Sequence, residues 1–412
     1  MAQQYPRFPL PPPLMMWSEN SFSHLTLTQR LPAIVRRVIA ENNFPPYIVD
    51  NLEKLIKELP QGIVRQLQQD QGPDLVRWKK YLAPFVGKRW LDIPWFFAEA
   101  YFFRRILEAT HYFLPGISQN LDPFALQKRR GLEKARDSIQ VMSAKVNASI
   151  ASQLHNSKRN SCQKLIPLLY LALWGNQADL SLWPVDASTP NYNQETYSKE
   201  ADVLLNDTSI LADKIASFGG IRIDLILDNA GFELVCDLGL ADFLLASKAA
   251  VMVYLHLKSH PTFVSDATIQ DVQQTIDVLA NDPDVEVQSL GHRLQNYITS
   301  GRLRLREHLF WTSPLMFWEM PQLLRQELAQ ASLVLIKGDA NYRRLLGDRQ
   351  WSFTTAFEDI VCYFPAPFAT LRTLKSEIIV GLQSGQAEVL NCADPQWLTN
   401  GKRGLIQFVE PS

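Results

Sequence analysis

Cysteine is scarce in this chain, and what there is forms no pattern. Cys162, Cys236, Cys362 and Cys392 lie far apart, make no CxxC pair and match no zinc spacing. That argues against a disulfide-stapled secreted module and a zinc ribbon, and a reduced cytoplasm is the expected compartment. An excess of one charge is also missing. The 41 Lys and Arg residues nearly balance the 42 Asp and Glu residues, leaving a formal charge of -1. No nucleic-acid partner is expected from such a balance. No stretch approaches the roughly 18 consecutive apolar residues of a spanning helix, so no membrane role is expected. "MAQQYPRFPLPPPLMMW" lacks a basic segment followed by an apolar core and does not read as a secretory leader. The common catalytic signatures are absent too. There is no GxxxxGK[ST], no GxGxxG after a strand, no HExxH and no GxSxG.

What is present is an ordinary globular composition, 46% hydrophobic and 20% charged, on a chain of 412 residues. That length suggests more than one domain. Residues 1–20 are rich in proline and read as a stiff extended arm. Residues 21–200 read as a helical domain. "LPAIVRRVIAENN" places Leu31, Ile34, Val35 and Val38 on one face, and "YIVDNLEKLIKELP" repeats the period. "IPWFFAEAYFFRRILEATHYFL" is apolar nearly all round, as a helix buried between others would be. Its Glu99 and Arg104 need partners there, because an unpaired buried charge is costly. "GLEKARDSIQVMSAKVNASIASQLH" reads as one long amphipathic helix and "LIPLLYLALWGN" as another buried one. A long loop, "QADLSLWPVDASTPNYNQ", then leads to a region of different texture.

From residue 201 to 412, β-rich runs alternate with helical ones. Ile221–Leu227, Ala250–Leu257, Arg302–Glu307 and Ser332–Gly338 read as strands. Phe232–Ser247, Thr268–Ala280, His292–Ile298 and Pro321–Gln330 read as helices. Such alternation predicts right-handed crossovers and a mainly parallel sheet. Ligands bind beyond the carboxyl ends of the strands in that architecture. Polar clusters stand there: Asp228 and Asn229 after the first run; Lys258, His260, Ser265 and Asp266 after the second; Glu307 and His308 after the third; Lys337, Asp339, Asn341 and Arg343 around the fourth. "ATLRTLKSE" adds Arg372, Thr373 and Lys375. Two carboxylates and an amide oxygen are hard donors that suit a Mg²⁺- or Mn²⁺-like cation. Lysines and an arginine suit a phosphate. Each cluster alone reads as a turn or a helix cap. Their coincidence at successive strand ends favours phosphoryl chemistry at a metal.

The stretches "LDNAGFELVCDLGLADFLL", "LHLKSHPTFVSDAT", "IKGDANYRRLLGD" and "RTLKSE" resemble the damage-control phosphatases. The resemblance is to the RTxK subgroup, which includes sugar phosphatases and proteins described as acidic-residue methyltransferases. "WLDIPWFFAEAYFFRRI", "DPF" and "LWGNQADLSL" extend the likeness from about Ser21 to about Leu382, leaving the proline-rich arm outside. The resemblance implies a three-layer α/β/α sandwich with a mainly parallel sheet plus a helical N-terminal domain. It implies a divalent metal (Mn, Co, Ni or Mg) held by Asp228, Asn229 and Asp266, with the same residues catalytic. It implies substrate contacts from Asp228, Asn229, Asp339, Ala340, Asn341, Tyr342, Arg343 and Lys375. Ala340 departs from the bulkier aliphatic common in the family, which bears on substrate preference. Glu233 stands beside the metal pair, where the methyltransferase description would have it contact S-adenosylmethionine. The expected activity is a metal-dependent phosphatase on small sugar phosphates such as fructose phosphates, with Asp228 either nucleophile or ligand. A carboxyl methyltransferase and a non-catalytic metabolite-binding protein are the alternatives.

Overall fold

The computed structural model describes residues 5–19, 21–153, 159–175, 200–217 and 220–410, and the side chains of 153 and 159–163 stand outside that description. The loop expected at 177–194 lies outside the described residues.

Seven strands form one sheet in the order β1-β7-β6-β5-β2-β3-β4. They are β1 (Val203–Asn206), β2 (Ile221–Ile226), β3 (Ala250–Leu257), β4 (Leu303–Glu307), β5 (Leu333–Lys337), β6 (Phe368–Thr373) and β7 (Gly404–Val409). From β6 to β4 every neighbouring pair is parallel. β7 turns antiparallel on β6 and carries β1 parallel to itself. β2 through β5 coincide with the four runs read from the sequence. β1, β6 and β7 were not read as strands. β1 has four residues, β7 opens on a glycine, and β6 hides behind its polar letters although all six of its residues are buried.

Side chains alternate across the sheet, as the period of a strand requires. Ile223, Leu225, Leu333 and Leu335 enter one apolar cluster, with the helices Arg159–Trp174, Phe232–Ala246 and Val285–Thr299. Ile226, Val334 and Ile336 enter another, with Phe317, Tyr342, Phe357 and Trp397. Apolar contacts on both faces make three layers and explain why β5 is an unbroken apolar run. The helix Arg136–Gln153 also packs on this layer, sending Ile139, Met142 and Val146 into the first cluster. It is separate from Ala125–Lys134, because Ala135 closes that helix with a tight turn onto Leu132 and Glu133. The helix expected at His292–Ile298 starts earlier, at Val285, where the Asp284 carboxylate accepts the N–H groups of Glu286 and Val287.

A third cluster belongs to the helical region, centred on Trp95–Ala109, every residue of which is buried. Arg104 is matched there by two carboxylates. Its Nη2 lies 2.6 Å from Asp70 and its Nε 2.9 Å from Asp74, all nearly fully buried. The described part of the proline-rich segment, residues 5–19, makes contacts with the body. Leu14 donates to the Asp348 carbonyl, and the Trp95 N–H donates to Leu14.

Several contacts seat the helical region over the carboxyl ends of the strands. Glu99 meets Arg343 at 2.5 Å, and Asp74 stands 3.5 Å from His260. Lys128 reaches Asp271 at 2.8 Å. Arg104→Ala should strand the Asp70 and Asp74 charges in a dry core. The expected loss is about 3–5 kcal/mol of stability, read by urea unfolding followed through tryptophan fluorescence. A loss below about 1 kcal/mol would mean that water reaches these carboxylates.

Candidate active site

The strand order reverses between β5 and β2, since the chain leaves β2 towards β3 and β4 and returns on the other side. A crevice opens at such a switch point. Asp228 follows β2 on one side of it, and Gly338 and Asp339 follow β5 on the other. The two loops touch. A Cβ on Gly338 would stand 1.5 Å from Asp228 Oδ2, and Gly338 has φ +84°. Glycine is required here for space and for backbone conformation alike.

On the other flank, the loops after β2 and β3 are stitched together. Asn229 and Asp266 form a bridge pair. Ala267 N–H donates to the Asp228 carbonyl and Ala230 N–H to that of Ser265, both at 2.6 Å. Asp228, Asn229 and Asp266 are thus brought together. Asn229 is oriented by three partners. Its Nδ2 donates to Asp228 Oδ2 at 3.1 Å and to Glu233 Oε2 at 2.8 Å, and its Oδ1 accepts from Ser265 Oγ at 2.6 Å. Asp228 Oδ1 and Asp266 Oδ2 are buried without a hydrogen bond, although Lys258 Nζ approaches the latter to 3.2 Å. Buried carboxylate oxygens without donors are what a hard cation would satisfy. Among the described residues no group of three or more His, Cys, Asp or Glu is arranged to hold a metal. The donor set would be two carboxylates, one amide and water, which fits a Mg²⁺- or Mn²⁺-like ion.

The electrostatics agree with a missing positive charge. Burial pushes Asp266 up to about 6, with Lys258 opposing and Asp228 reinforcing the shift. Burial and Asp228 push Glu233 up to about 7, against the pull of Lys337 and Lys375.

The cations divide sharply. Lys337, expected among the phosphate lysines, is fully buried and faces inward. Its Nζ lies 3.4 Å from Glu233 and 3.3 Å from Asp237. Burial would lower this ammonium, and Asp237, Glu233 and Asp228 raise it instead. Arg343 is buried as well, bound to Asp348 and Glu99 and stacked 3.7 Å over the Trp95 ring. Tyr342 points into the second apolar cluster and donates to Gln407 at 3.0 Å. Asp339 Oδ1 accepts from Arg372 Nε, the Lys375 N–H and Ser376 Oγ at 2.8 to 3.1 Å, so it anchors the RTLKS turn. Burial works against that carboxylate, yet Arg372 and Arg343 hold it below its usual range. Asn341 donates to the Lys337 carbonyl at 2.8 Å and keeps Oδ1 buried without a partner. Ala340 is half-buried beside it. Lys375 is half-buried, and its ammonium makes no ion pair with any described residue.

A cavity of about 800 Å³ lies next to this cluster, between the helices Ala125–Lys134 and Ile269–Ala280. Ala230 and Gly231 line it, but Asp228, Asn229 and Asp266 do not. Sequence reasoning passed over Gly338 and Asp237. A glycine directly after a buried strand was the available signal for the first; Asp237 sits inside an apolar helix and had none.

A pH dependence follows for the metal-free protein. Asp266 and Glu233 titrate near 6 and near 7 when folded, and near about 4 in an unfolded chain. Between those values the folded state binds more protons. Their contribution is therefore complete below about pH 4 and is lost as pH rises through 6 and 7. Urea midpoints of the metal-free protein should fall across that window, and Asp266→Asn should flatten the fall. An unchanged slope in the variant would show that Asp266 is not held as described.

A family model for the damage-control phosphatase ARMT1-like domain matches residues 26–390. The Rattus norvegicus protein named Damage-control phosphatase ARMT1 is 34% identical over 95% of this chain and 97% of its own length. The Homo sapiens protein of that name is also 34% identical, and the Bos taurus one 36%, at the same coverage. A DUF89 family protein from Pyrococcus horikoshii superposes with a TM-score of 0.48 at 15% identity, covering 95% of this chain and 99% of that one. The resemblance carried by the strand-end motifs is thereby shown, and the chain belongs to the damage-control phosphatase ARMT1-like family, whose activity class is that of a metal-dependent phosphatase of small metabolites.

Proposed function

We propose that the chain hydrolyses small sugar phosphates, of the fructose phosphate kind, at a divalent cation held by Asp228, Asn229 and Asp266. One observation carries the reading. Asp228 Oδ1 is buried without a hydrogen bond at the switch point, Asp266 is stitched alongside it with Lys258 as its paired cation, and the nearby Lys375 ammonium makes no ion pair with any described residue. When bound, the cation would neutralise charge developing on the phosphoryl oxygens. This chain's own residues do the rest. Lys375 holds the phosphate as a point charge, and Asp339 fixes the turn that presents it. Asn341 Oδ1, buried without a partner, would be the acceptor for a sugar hydroxyl. Ala340 leaves room beside it. Ser265 and Glu233 fix which atom of Asn229 faces inward. The inward-facing Arg343 and Tyr342 act by shaping the crevice rather than by touching the substrate. Placement in the cytoplasm accords with Cys236, Cys362 and Cys392, which are all free.

Methyl transfer draws less support. Glu233, the residue that would meet S-adenosylmethionine, already accepts from Asn229 and stands against Lys337. A free cation beside two bare carboxylates has no task in moving a methyl group.

Phosphate release from a panel of sugar phosphates, with Mn²⁺ or Co²⁺ and with chelator, tests the reading. Release that chelator does not abolish, or none at all, would refute it. Asp228→Asn keeps the shape and an oxygen donor but removes one charge and any carboxylate nucleophile. Its turnover should fall about a hundredfold or more, or about 3 kcal/mol of transition-state stabilisation. Lys375→Ala should raise KM about tenfold while shifting stability by no more than about 0.5 kcal/mol. Unaltered kinetics on every sugar phosphate would make Lys375 a surface residue only.

A further inference from the structure

The helix Leu31–Glu41 is entered through one π-helical turn, Thr26–Arg30, closed by the Leu31 N–H on the Thr26 carbonyl. Pro32 accounts for the widening. It has no N–H for the carbonyl four residues earlier, and its ring would clash with that carbonyl, so the helix takes in an extra residue ahead of it. Such turns recur at functional sites. This one ends on Arg30, an exposed residue whose guanidinium forms no hydrogen bond or ion pair with any described residue.

Arg30 lines a cavity of about 250 Å³ whose walls include Arg37, Gln127, Phe263 and Ser265. Glu41, also in the wall, is engaged by Arg37 at 3.0 Å and by Arg130 at 3.2 Å. The balance of charge around the cavity is therefore positive. Ser265 joins the cavity to the strand ends, since its hydroxyl donates to Asn229 Oδ1 at 2.6 Å. On another side, the charge of Arg30 is felt by Glu99, the partner of Arg343.

The wall itself is strained. Phe263 and Val264 have φ of 47° and 69°. Two successive side-chain-bearing residues in the left-handed region are rare, and a β-branched one is an outlier. Strain of this kind persists where surrounding structure enforces it, commonly at ligand clamps. Here the Phe263 ring is held against Phe96 and Phe103, with centroids 5.8 and 5.1 Å away. The helical region thus fixes a turn that presents Ser265 to the cavity and Asp266 to the crevice.

We propose that this cavity is a second anion subsite of the same active site. In it Arg30 receives the distal anionic group, a phosphate or a carboxylate, of a sugar whose phosphate ester lies at Asp228 and Asp266. The inference rests on the phosphatase reading above and narrows its substrate class to doubly anionic sugars. An arginine offers paired donors that match either oxyanion. A π-turn at the domain boundary delivers that fork from the helical region.

Binding in the presence of chelator separates this inference from the reading beneath it, because nothing turns over. A hexose monophosphate, the matching bisphosphate and a sugar-acid phosphate are titrated calorimetrically into wild type, Arg30→Ala, Arg30→Lys and Arg36→Ala. Arg36 is an exposed residue of the same helix outside the cavity wall and controls for general charge. Wild type should bind the bisphosphate about tenfold tighter than the monophosphate, and Arg30→Ala should bring the two within about twofold. Arg30→Lys should recover part of the difference, and Arg36→Ala should keep all of it. A sugar-acid phosphate that binds like the bisphosphate assigns the subsite to either anion; one that binds like the monophosphate restricts it to phosphate. Equal wild-type affinities for all three ligands would overturn the proposal, as would an Arg36→Ala loss equal to that of Arg30→Ala. Failure of the phosphatase reading would appear elsewhere, as absent metal-dependent phosphate release.

Discussion

The close approach of the β5 turn to the Asp228 carboxylate is the constraint on which the site depends. Gly338 leaves no room for a side chain there, and the carboxylate is pressed into a crevice between parallel strands. Water is largely excluded, so the negative charge must find positive partners or lose its ionisation. The nearest strong donor is the Asn229 amide, which satisfies one oxygen and leaves the other bare. A second buried carboxylate, Asp266, is stitched alongside through the Asn229 bridge. Burial, reinforced by the Asp228 charge, raises the proton affinity of Asp266. A divalent cation of the kind proposed above would offset this repulsion.

The surrounding cations follow from the same constraint. Each one near the crevice is matched to a carboxylate of its own: Lys258 to Asp266, Lys337 to Glu233 and Asp237, Arg343 to Asp348 and Glu99, Arg372 to Asp339. These pairs neutralise buried charge and lock loops in place. Removing one partner of such a pair costs far more than the pair itself contributes. Lys375 differs: its loop is held by its backbone N–H on Asp339 and by Arg372 on Ser376, and its ammonium makes no ion pair with any described residue.

Much of this was legible in the sequence, and the limits have physical causes. β2, β3 and β5 were visible because buried parallel strands read as aliphatic runs, and β4 because its half-exposed edge position makes apolar and charged residues alternate. Asp228, Asn229 and Asp266 stood out as polar residues after such runs. β6 escaped because Thr370, Arg372 and Thr373 are buried there, Arg372 through hydrogen bonds to Asp339 and Ser376 and stacking on Tyr342 that composition does not reveal. Periodicity also cannot tell a lysine that faces a ligand from one that faces a buried acid. Lys337 closes an aliphatic run and Lys375 follows the mixed strand β6, both at strand ends, yet one faces a buried helix and the other does not. The difference arises from Asp237, one turn beyond Glu233 on the helix Phe232–Ala246, which only folding brings to Lys337.

The helical region then has a physical task beyond covering the sheet. Its buried charges were expected to pair internally, and Arg104 does so with Asp70 and Asp74. Glu99 does not: it crosses to Arg343, whose guanidinium also binds Asp348. Asp348 in turn accepts the Phe96 N–H through its side chain and the Leu14 N–H through its carbonyl. Glu99 of the central helix thus pairs with Arg343, and Leu14 of the arm is hydrogen-bonded to the backbone of Asp348, the other partner of that arginine. Displacing the helical region would take Glu99 from Arg343 and leave it with Asp348 alone, next to the β5 turn that presses on Asp228. The packing of the two regions and the geometry of the carboxylate crevice are therefore one equilibrium, and they are set together.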